Sequence, residues 1–252
     1  MRQPESKPVI SRDRYDAVLL DLDGVITDTA GIHAACWKQM FDEYLQKRAA
    51  QRGEAVRPFD LATDYRLYVD GKPRYDGVRD FLTSRGIQLP EGNPADPPEA
   101  ETVGGLGNRK NALVNKIIED KGVEPYEGSV ELIYQLRGRG FKIAVVTSSQ
   151  NCEGVLKAAN LHAFFDVQVD GNTIHEQKLA GKPAPDTYLT AAKLLGVTPS
   201  RAVVIEDALS GVEAGSNGKF GLVIGVARKG NAEELRRHGA HIVVNDLGEL
   251  VG

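Results

Sequence analysis

Cysteine is nearly absent: Cys36 and Cys152 are the two in 252 residues. That excludes a disulfide framework, and the pair has no metal-ligand spacing, so both read as buried or half-buried thiols. A surplus of positive charge is also missing. With 31 Lys and Arg against 35 Asp and Glu, the formal net charge is -4, which leaves no basic footprint for a nucleic-acid partner. No apolar run is long enough to span a bilayer, and the polar start Met1–Arg14 lacks the apolar segment of a secretion signal. Internal repeats and low-complexity tracts are missing too. These absences lead us to expect a cytoplasmic monomer with no membrane partner, long enough for one large domain or two smaller ones.

The chain has one stretch around which the rest is arranged: Asp21-Leu22-Asp23-Gly24-Val25-Ile26-Thr27-Asp28, after the apolar run Ala17-Val18-Leu19-Leu20. A short apolar run ending in a carboxylate and then a Gly reads as a buried strand stopping at a turn. In open α/β sheets ligands bind at that end of the strands. Asp23 returns to the side of Asp21 in an extended chain, so two carboxylates converge on a small volume. Like charges that close need a cation between them or a shared proton.

Thr29–Ala50 carries Ile32, Cys36, Trp37, Met40, Phe41, Tyr44 and Leu45 on one helical stripe. Residues 56–107 are Tyr- and Arg-rich, then Pro-rich and acidic. They hold a helical pattern at Tyr75–Arg85, and Gly104-Gly105-Leu106-Gly107 reads as a hinge or loop, not as a phosphate-binding glycine motif. Asn108–Lys121 is helical again and stops at Gly122. From Pro125 the pattern alternates. Strands are expected at Phe141–Val146, Phe164–Val169, Ala202–Ile205, Leu222–Val226 and His241–Val244, and helices at 128–139, 151–160, 185–196, 208–217 and 231–238. This predicts an α/β fold, a doubly wound, mainly parallel sheet with a Rossmann-like core. The core is discontinuous, 15–28 and 124–252, and a helical cap of residues 29–123 is inserted after the carboxylate loop, placed to exclude water.

Four strand ends of the core carry polar residues: Asp21 and Asp23; Thr147-Ser148-Ser149-Gln150-Asn151; Gly181-Lys182-Pro183 before a helix; and Glu206-Asp207. Taken singly each has a plain reading. Lys182 suits a solvated surface, Thr147 and Ser149 suit a helix cap, and Glu206-Asp207 suits a helix N-terminus. His33, beside the apolar stripe, suits packing as well as ligand contact. Together they suit phosphoryl transfer through an aspartyl-phosphate, with Asp21 as nucleophile and Asp23 as general acid and base. Mg²⁺ would be held by Asp21, Glu206, Asp207 and the backbone carbonyl of Asp23, and Lys182 would offset charge on the phosphoryl group.

At these residues the chain resembles the haloacid dehalogenase superfamily. Asp21/Asp23, Thr147, Lys182 and Glu206/Asp207 stand in that family's order over essentially the whole chain. Asp-Leu-Asp-Gly-Val-Ile-Thr-Asp-Thr-Ala followed by His33, together with Thr147-x-Ser149-x-Asn151 and Gly181-Lys182-Pro183, is similar to the β-phosphoglucomutase subgroup. The resemblance implies that Thr29 orients Asp23, that His33 and Trp37 line the substrate side of the cap, and that Ser149 and Asn151 hold a second phosphate or sugar hydroxyls. By the same likeness Gly71, Lys72, Arg74 and Lys110 belong to the substrate, with Arg74 and Lys110 on its distal phosphate. The pattern departs at Asp70, where a Lys is the rule, and in the long Pro-rich stretch 87–107. The expected activity is a phosphosugar mutase interconverting 1- and 6-phosphates of a small phosphorylated sugar through a bisphosphate. A phosphatase of the same fold acting on a small phosphorylated metabolite is the alternative. A phospho-accepting signalling domain is disfavoured, because Asp23 and a large insertion serve turnover.

Overall fold

The computed structural model describes residues 9–228 and 230–252, so part of the opening polar stretch lies outside the described residues. Two compact units divide the chain, one running to Thr27 and resuming over Pro125–Gly252, the other Asp28–Glu124.

The first unit is a six-stranded sheet of β1 (Ala17–Leu20), β2 (Lys142–Val146), β3 (Val167–Val169), β4 (Ala202–Glu206), β5 (Leu222–Val226) and β6 (Ile242–Val244), in the order β3-β2-β1-β4-β5-β6. Every pairing is parallel. Parallel strands need long crossovers, which cover both faces and make the strands continuous apolar runs. Accordingly β1, β4 and β5 are buried throughout. The crossovers hold α4 (Glu127–Gly138), α5 (Cys152–Ala158), α6 (Gly171–Gln177), α7 (Asp186–Leu195), α8 (Leu209–Asn217) and α9 (Ala232–Arg237). Leu20 pairs with Val145 on one side and Ile205 on the other. The next residues of β1 and β4 are therefore Asp21 and Glu206, abreast at one edge. The chain leaves β1 toward β3 and returns to wind from β4 toward β6, and this reversal opens a crevice at the strands' carboxyl ends.

The strands match the expected runs, with β3 shortened to its last three residues because His162–Phe164 is a 3₁₀ turn. α6 is an addition. Asp170 caps it, its side chain accepting from the amides of Asn172 and Thr173.

The second unit packs α1 (Ala30–Arg52), a π-helical turn (Tyr65–Val69), α2 (Arg74–Ser84) and α3 (Val103–Lys121). Its core is aromatic: Phe41 lies 5.3 Å from Trp37, 5.1 Å from Phe59 and 4.1 Å from Phe81, ring centre to ring centre. α1 ends at Gly53, whose φ of 67° is the left-handed region that glycine enters without strain.

The expected hinge at Gly104-Gly105-Leu106-Gly107 is instead the first turns of α3. Thr102 caps it, accepting from the Gly105 amide at 2.9 Å. The glycines answer to packing. A Cβ on Gly104 would overlap the Asn93 carbonyl, one on Gly105 the Ala100 carbonyl, and one on Gly107 would sit 2.7 Å from the Tyr75 ring. The Pro-rich loop needs Gly104 and Gly105 small, because it lies against α3, and the Tyr75 ring of α2 needs Gly107 small. The Val103 amide donates to the Pro90 carbonyl at 3.0 Å, and Asn108 donates to the carbonyls of Pro94 and Asp96.

Candidate active site

The carboxylates at the sheet's carboxyl edge are placed by the strands that end beneath them, whereas Lys182, expected at a strand end, comes from the loop between α6 and α7. Asp21 follows β1, its amide donating to Ile205 of β4 at 3.0 Å. Glu206 is the last residue of β4, and Asp207 comes next. Lys182 precedes a cis proline before α7. Its Nζ donates to Asp21 Oδ1 at 2.6 Å, to Glu206 Oε1 at 2.5 Å and to the Val146 carbonyl of β2 at 3.2 Å. All four are buried: Asp21 is 6 % exposed, Lys182 2 %, Glu206 0 % and Asp207 4 %.

Carboxylate oxygens of Asp21, Glu206 and Asp207 lie within 4.8 Å of one another. Against them the geometry sets one ammonium. Burial above all pushes the Asp21 carboxyl well above its usual range; Lys182 pulls the other way, and the charges of Glu206, Asp23 and Asp207 push it further up. Burial also opposes the Lys182 charge, but Asp21 and Glu206 outweigh it and hold the ammonium above its ordinary range. Three hard oxygen donors with an excess of negative charge suit a divalent cation. The backbone is shaped for this closeness. Gly24, at φ 85°, stands where a Cβ would overlap Asp207 Oδ2. A Cβ on Gly211, in α8, would overlap Glu206 Oε1.

The Thr147 and Ser149 hydroxyls expected at the end of β2 act as acceptors within their own loop, which does not use their O–H donors. The Ser149 amide donates to Thr147 Oγ1 at 3.1 Å and the Asn151 amide to Ser149 Oγ at 3.2 Å. Thr147 is buried, and Ser149 and Asn151 are half-buried. Asp23 is half-buried, and its side chain is outside the group of three carboxylates.

In the helical unit, Lys110 is 5 % exposed. Its Nζ is 2.9 Å from His33 Nδ1 and 5.1 Å from the centre of the Trp37 ring. That joins three of the expected substrate residues, on α1 and α3. Trp37 itself is core, stacked on Phe41. Arg74 opens α2, half-buried, its guanidinium 5.3 Å from the Tyr75 ring centre. Gly71 takes φ 72° in the turn before it. Lys72 is committed elsewhere: its ammonium pairs with Asp80 at 2.7 Å and reaches the Leu67 carbonyl. Thr29 is buried at the start of α1, its carbonyl accepting from the His33 amide. Cys36 and Cys152 are buried free thiols, both pushed up by burial and so poor nucleophiles.

Tyr188 escapes sequence reasoning. Fully buried on α7, it donates its hydroxyl to Glu206 Oε1 at 2.9 Å, and its ring centre is 5.0 Å from Lys182 Nζ. One oxygen of Glu206 thus accepts from both Lys182 and Tyr188, while Oε2 accepts from the Ala208 amide at 3.2 Å. The signal was weak, since a Tyr on the apolar stripe of an amphipathic helix reads as core.

The chain is similar to known proteins. A β-phosphoglucomutase of Mycobacterium bovis is 52% identical over 242 residues, covering 95% of this chain and 92% of that one. One of Bacillus subtilis is 33% identical over 236 residues, covering 93% and 91%. Among solved structures, the β-phosphoglucomutase of Clostridium difficile aligns with a TM-score of 0.72 at 25% identity, over 94% of this chain and 93% of that one. Residues 15–218 match the haloacid dehalogenase-like hydrolase family. With the sheet order, the strand-end carboxylates and these likenesses in agreement, the chain belongs to the haloacid dehalogenase-like hydrolase family and is an enzyme of phosphoryl transfer.

Proposed function

We propose that the enzyme is a Mg²⁺-dependent phosphosugar mutase, interconverting the 1- and 6-phosphates of a sugar through an aspartyl-phosphate and a bisphosphate. The observation that carries the proposal is Asp21, buried at the end of β1 beside Lys182 and within 4.8 Å of two further carboxylates. The 52% identity to a β-phosphoglucomutase supports the same reading.

In this reading an Asp21 oxygen attacks phosphorus, the bond from phosphorus to the leaving sugar oxygen breaks, and Asp23 protonates that oxygen. The aspartyl-phosphate then passes its phosphoryl group to the free hydroxyl of a sugar monophosphate, whose proton Asp23 takes; this regenerates the bisphosphate, which Asp21 attacks at its other phosphorus to release the isomeric monophosphate. Lys182 and Thr147 hold phosphoryl oxygens, and Ser149 and Asn151 hold the substrate beside them. Asp21 and Asp207 are the carboxylates for Mg²⁺, with the Asp23 carbonyl; Glu206, already bonded to Lys182, Tyr188 and Ala208, acts mainly as the counter-ion of Lys182. Bound there, Mg²⁺ supplies positive charge against the transferring phosphoryl oxygens. Residues 28–124 serve as the cap, Thr29 orienting Asp23, and Gly71, Arg74, Lys110 and His33 serving the sugar and its second phosphate, with Trp37 packed against Lys110. The joined positions of Lys110, His33 and Trp37 support that assignment.

The test is incubation with β-glucose 1-phosphate and a trace of the 1,6-bisphosphate. Glucose 6-phosphate forms without an equivalent of free phosphate. Free phosphate as the main product would make the enzyme a phosphatase instead.

A further inference from the structure

At the far end of α1 the helical unit has a cleft of about 530 Å³, lined chiefly by the last turns of α1, the segment Glu54–Arg57 and the end of α2 through Ile87. Four arginines face it, Arg48, Arg52, Arg57 and Arg85, against one lining carboxylate, Glu54. None of His33, Trp37, Arg74 or Lys110 is in the lining. Along α1 from His33 to Arg52 the rise alone is about 28 Å.

A cation in the last turn of a helix offsets the helix dipole, and Arg52 needs no further reason to be there. The other three do. Arg48 lies a turn earlier, Arg57 comes from the loop, and Arg85 follows α2. Arg85 is spoken for. It pairs with Asp64 at 2.5 Å and donates to the carbonyls of Arg57 and Pro58 at 3.1 and 3.3 Å, which fixes the loop's far end. The near end is fixed by the Glu54 amide, which donates to Ala49 at 3.2 Å. The neighbouring Glu101 is taken by Lys47. Arg48 donates to the Tyr44 hydroxyl. Among the described residues, Arg48, Arg52 and Arg57 form no ion pair with a carboxylate. In a chain of net charge -4, that much positive charge in one pinned cleft is a standing attraction for an anion.

The cleft falls in the size range of small-molecule sites. Forked guanidinium donors match phosphate oxygens. No aromatic ring is in the lining to stack on a base, whereas Glu54 and Ser84 offer acceptors to hydroxyl groups. We propose that the cleft formed by Arg48, Arg52, Arg57 and Arg85 is a second anion site, which takes a phosphate monoester on a small, hydroxyl-bearing, non-aromatic body, the sugar phosphate class.

The test is calorimetric titration of the whole enzyme with glucose 6-phosphate, inorganic phosphate and AMP as separate probes. Arg52→Ala/Arg57→Ala binds one equivalent of glucose 6-phosphate fewer than the wild type, affinity at that site falling at least a hundred-fold as two charge-assisted contacts go. Its turnover of p-nitrophenyl phosphate is unchanged. Glu54→Gln, which removes the lining's negative charge, binds inorganic phosphate several-fold tighter, a gain that misfolding does not produce. Equal stoichiometry in the wild type and the double variant, or no gain in Glu54→Gln, overturns the site. AMP bound there in preference to glucose 6-phosphate overturns the ligand class.

Discussion

Lys182 is held by two carboxylates at once, and substitution can separate them. Asp21→Asn keeps the side chain's shape and leaves Lys182 paired with Glu206, so the protein folds. Its turnover falls to background and no beryllofluoride adduct forms on residue 21. Near-normal turnover would remove Asp21 from the nucleophile's role. Tyr188→Phe deletes one hydrogen bond to a charged group, a loss of about 1.5–3 kcal/mol. A chain this size loses about 2–4 °C of melting midpoint per kcal/mol. Glu206 then has Lys182 as its remaining side-chain donor, and kcat drops several-fold with KM little changed. A lowered midpoint with unaltered kcat would make Tyr188 purely structural. Asp21 and Glu206 were legible because each carboxylate ends an apolar strand, and Lys182 because it stands between them in one motif order; singly each has a plain reading, and only together do they point to one site. Tyr188 and Gly211 were not, since their roles lie in contacts with residues 18 and five positions away that no local pattern encodes.

Among the elements, α4 is tied to the sheet by Asp166. Its carboxylate accepts from Arg137 of α4 and from the Ile143 amide of β2 at 2.8 Å. Burial opposes that charge, but the Ile143 amide and the Arg137 guanidinium outweigh it and hold the carboxyl below its ordinary range. A carboxyl lowered by folding adds stability above its unfolded value, about 3.9, and that contribution is lost as pH falls through the lower folded value. The melting midpoint of Asp166→Asn therefore lies below the wild type's near neutral pH, and the gap closes in acid. Calorimetry across that range checks it; a gap constant with pH would mean that the ion pair contributes nothing. Strands and long helices were readable from apolar runs and stripes. The start of α3 was not, because three glycines in four residues look like a break, and the groups that require them small, the loop 93–100 for Gly104 and Gly105 and the Tyr75 ring for Gly107, are remote from any local pattern. α6 was missed for a related reason: seven residues held by the Asp170 cap are too few to show a period.

For the molecule as a whole, the cation proposed at Asp21 and Asp207 would bind the folded state alone and so raise the melting midpoint. At a hundred times its dissociation constant, Mg²⁺ adds about 2.7 kcal/mol, and at about 2–4 °C per kcal/mol the midpoint rises by roughly 5–11 °C. Scanning calorimetry with Mg²⁺ and then EDTA measures it, and Asp207→Asn loses the response. A midpoint indifferent to Mg²⁺ in the wild type would remove the metal from the proposal.

The sheet's order also sets a timetable for synthesis. Ala17 of β1 pairs with Lys142 and Ala202, 125 and 185 residues later. At about 5–20 residues per second, β1 leaves the ribosome roughly 6–25 s before its first neighbour exists. The helical unit, by contrast, is one unbroken stretch, closed by the Asp28 amide donating to the Glu124 carbonyl at 2.9 Å. Nascent chains stalled once residue 124 has cleared the ribosome, but before β2 has, should therefore resist protease over 28–124 while being cut before it, and protection before residue 28 at that length would refute the order. The first strand made then waits, its apolar face in water, for the sheet it will stand at the middle of, which makes that interval the one in which a chaperone has most to do.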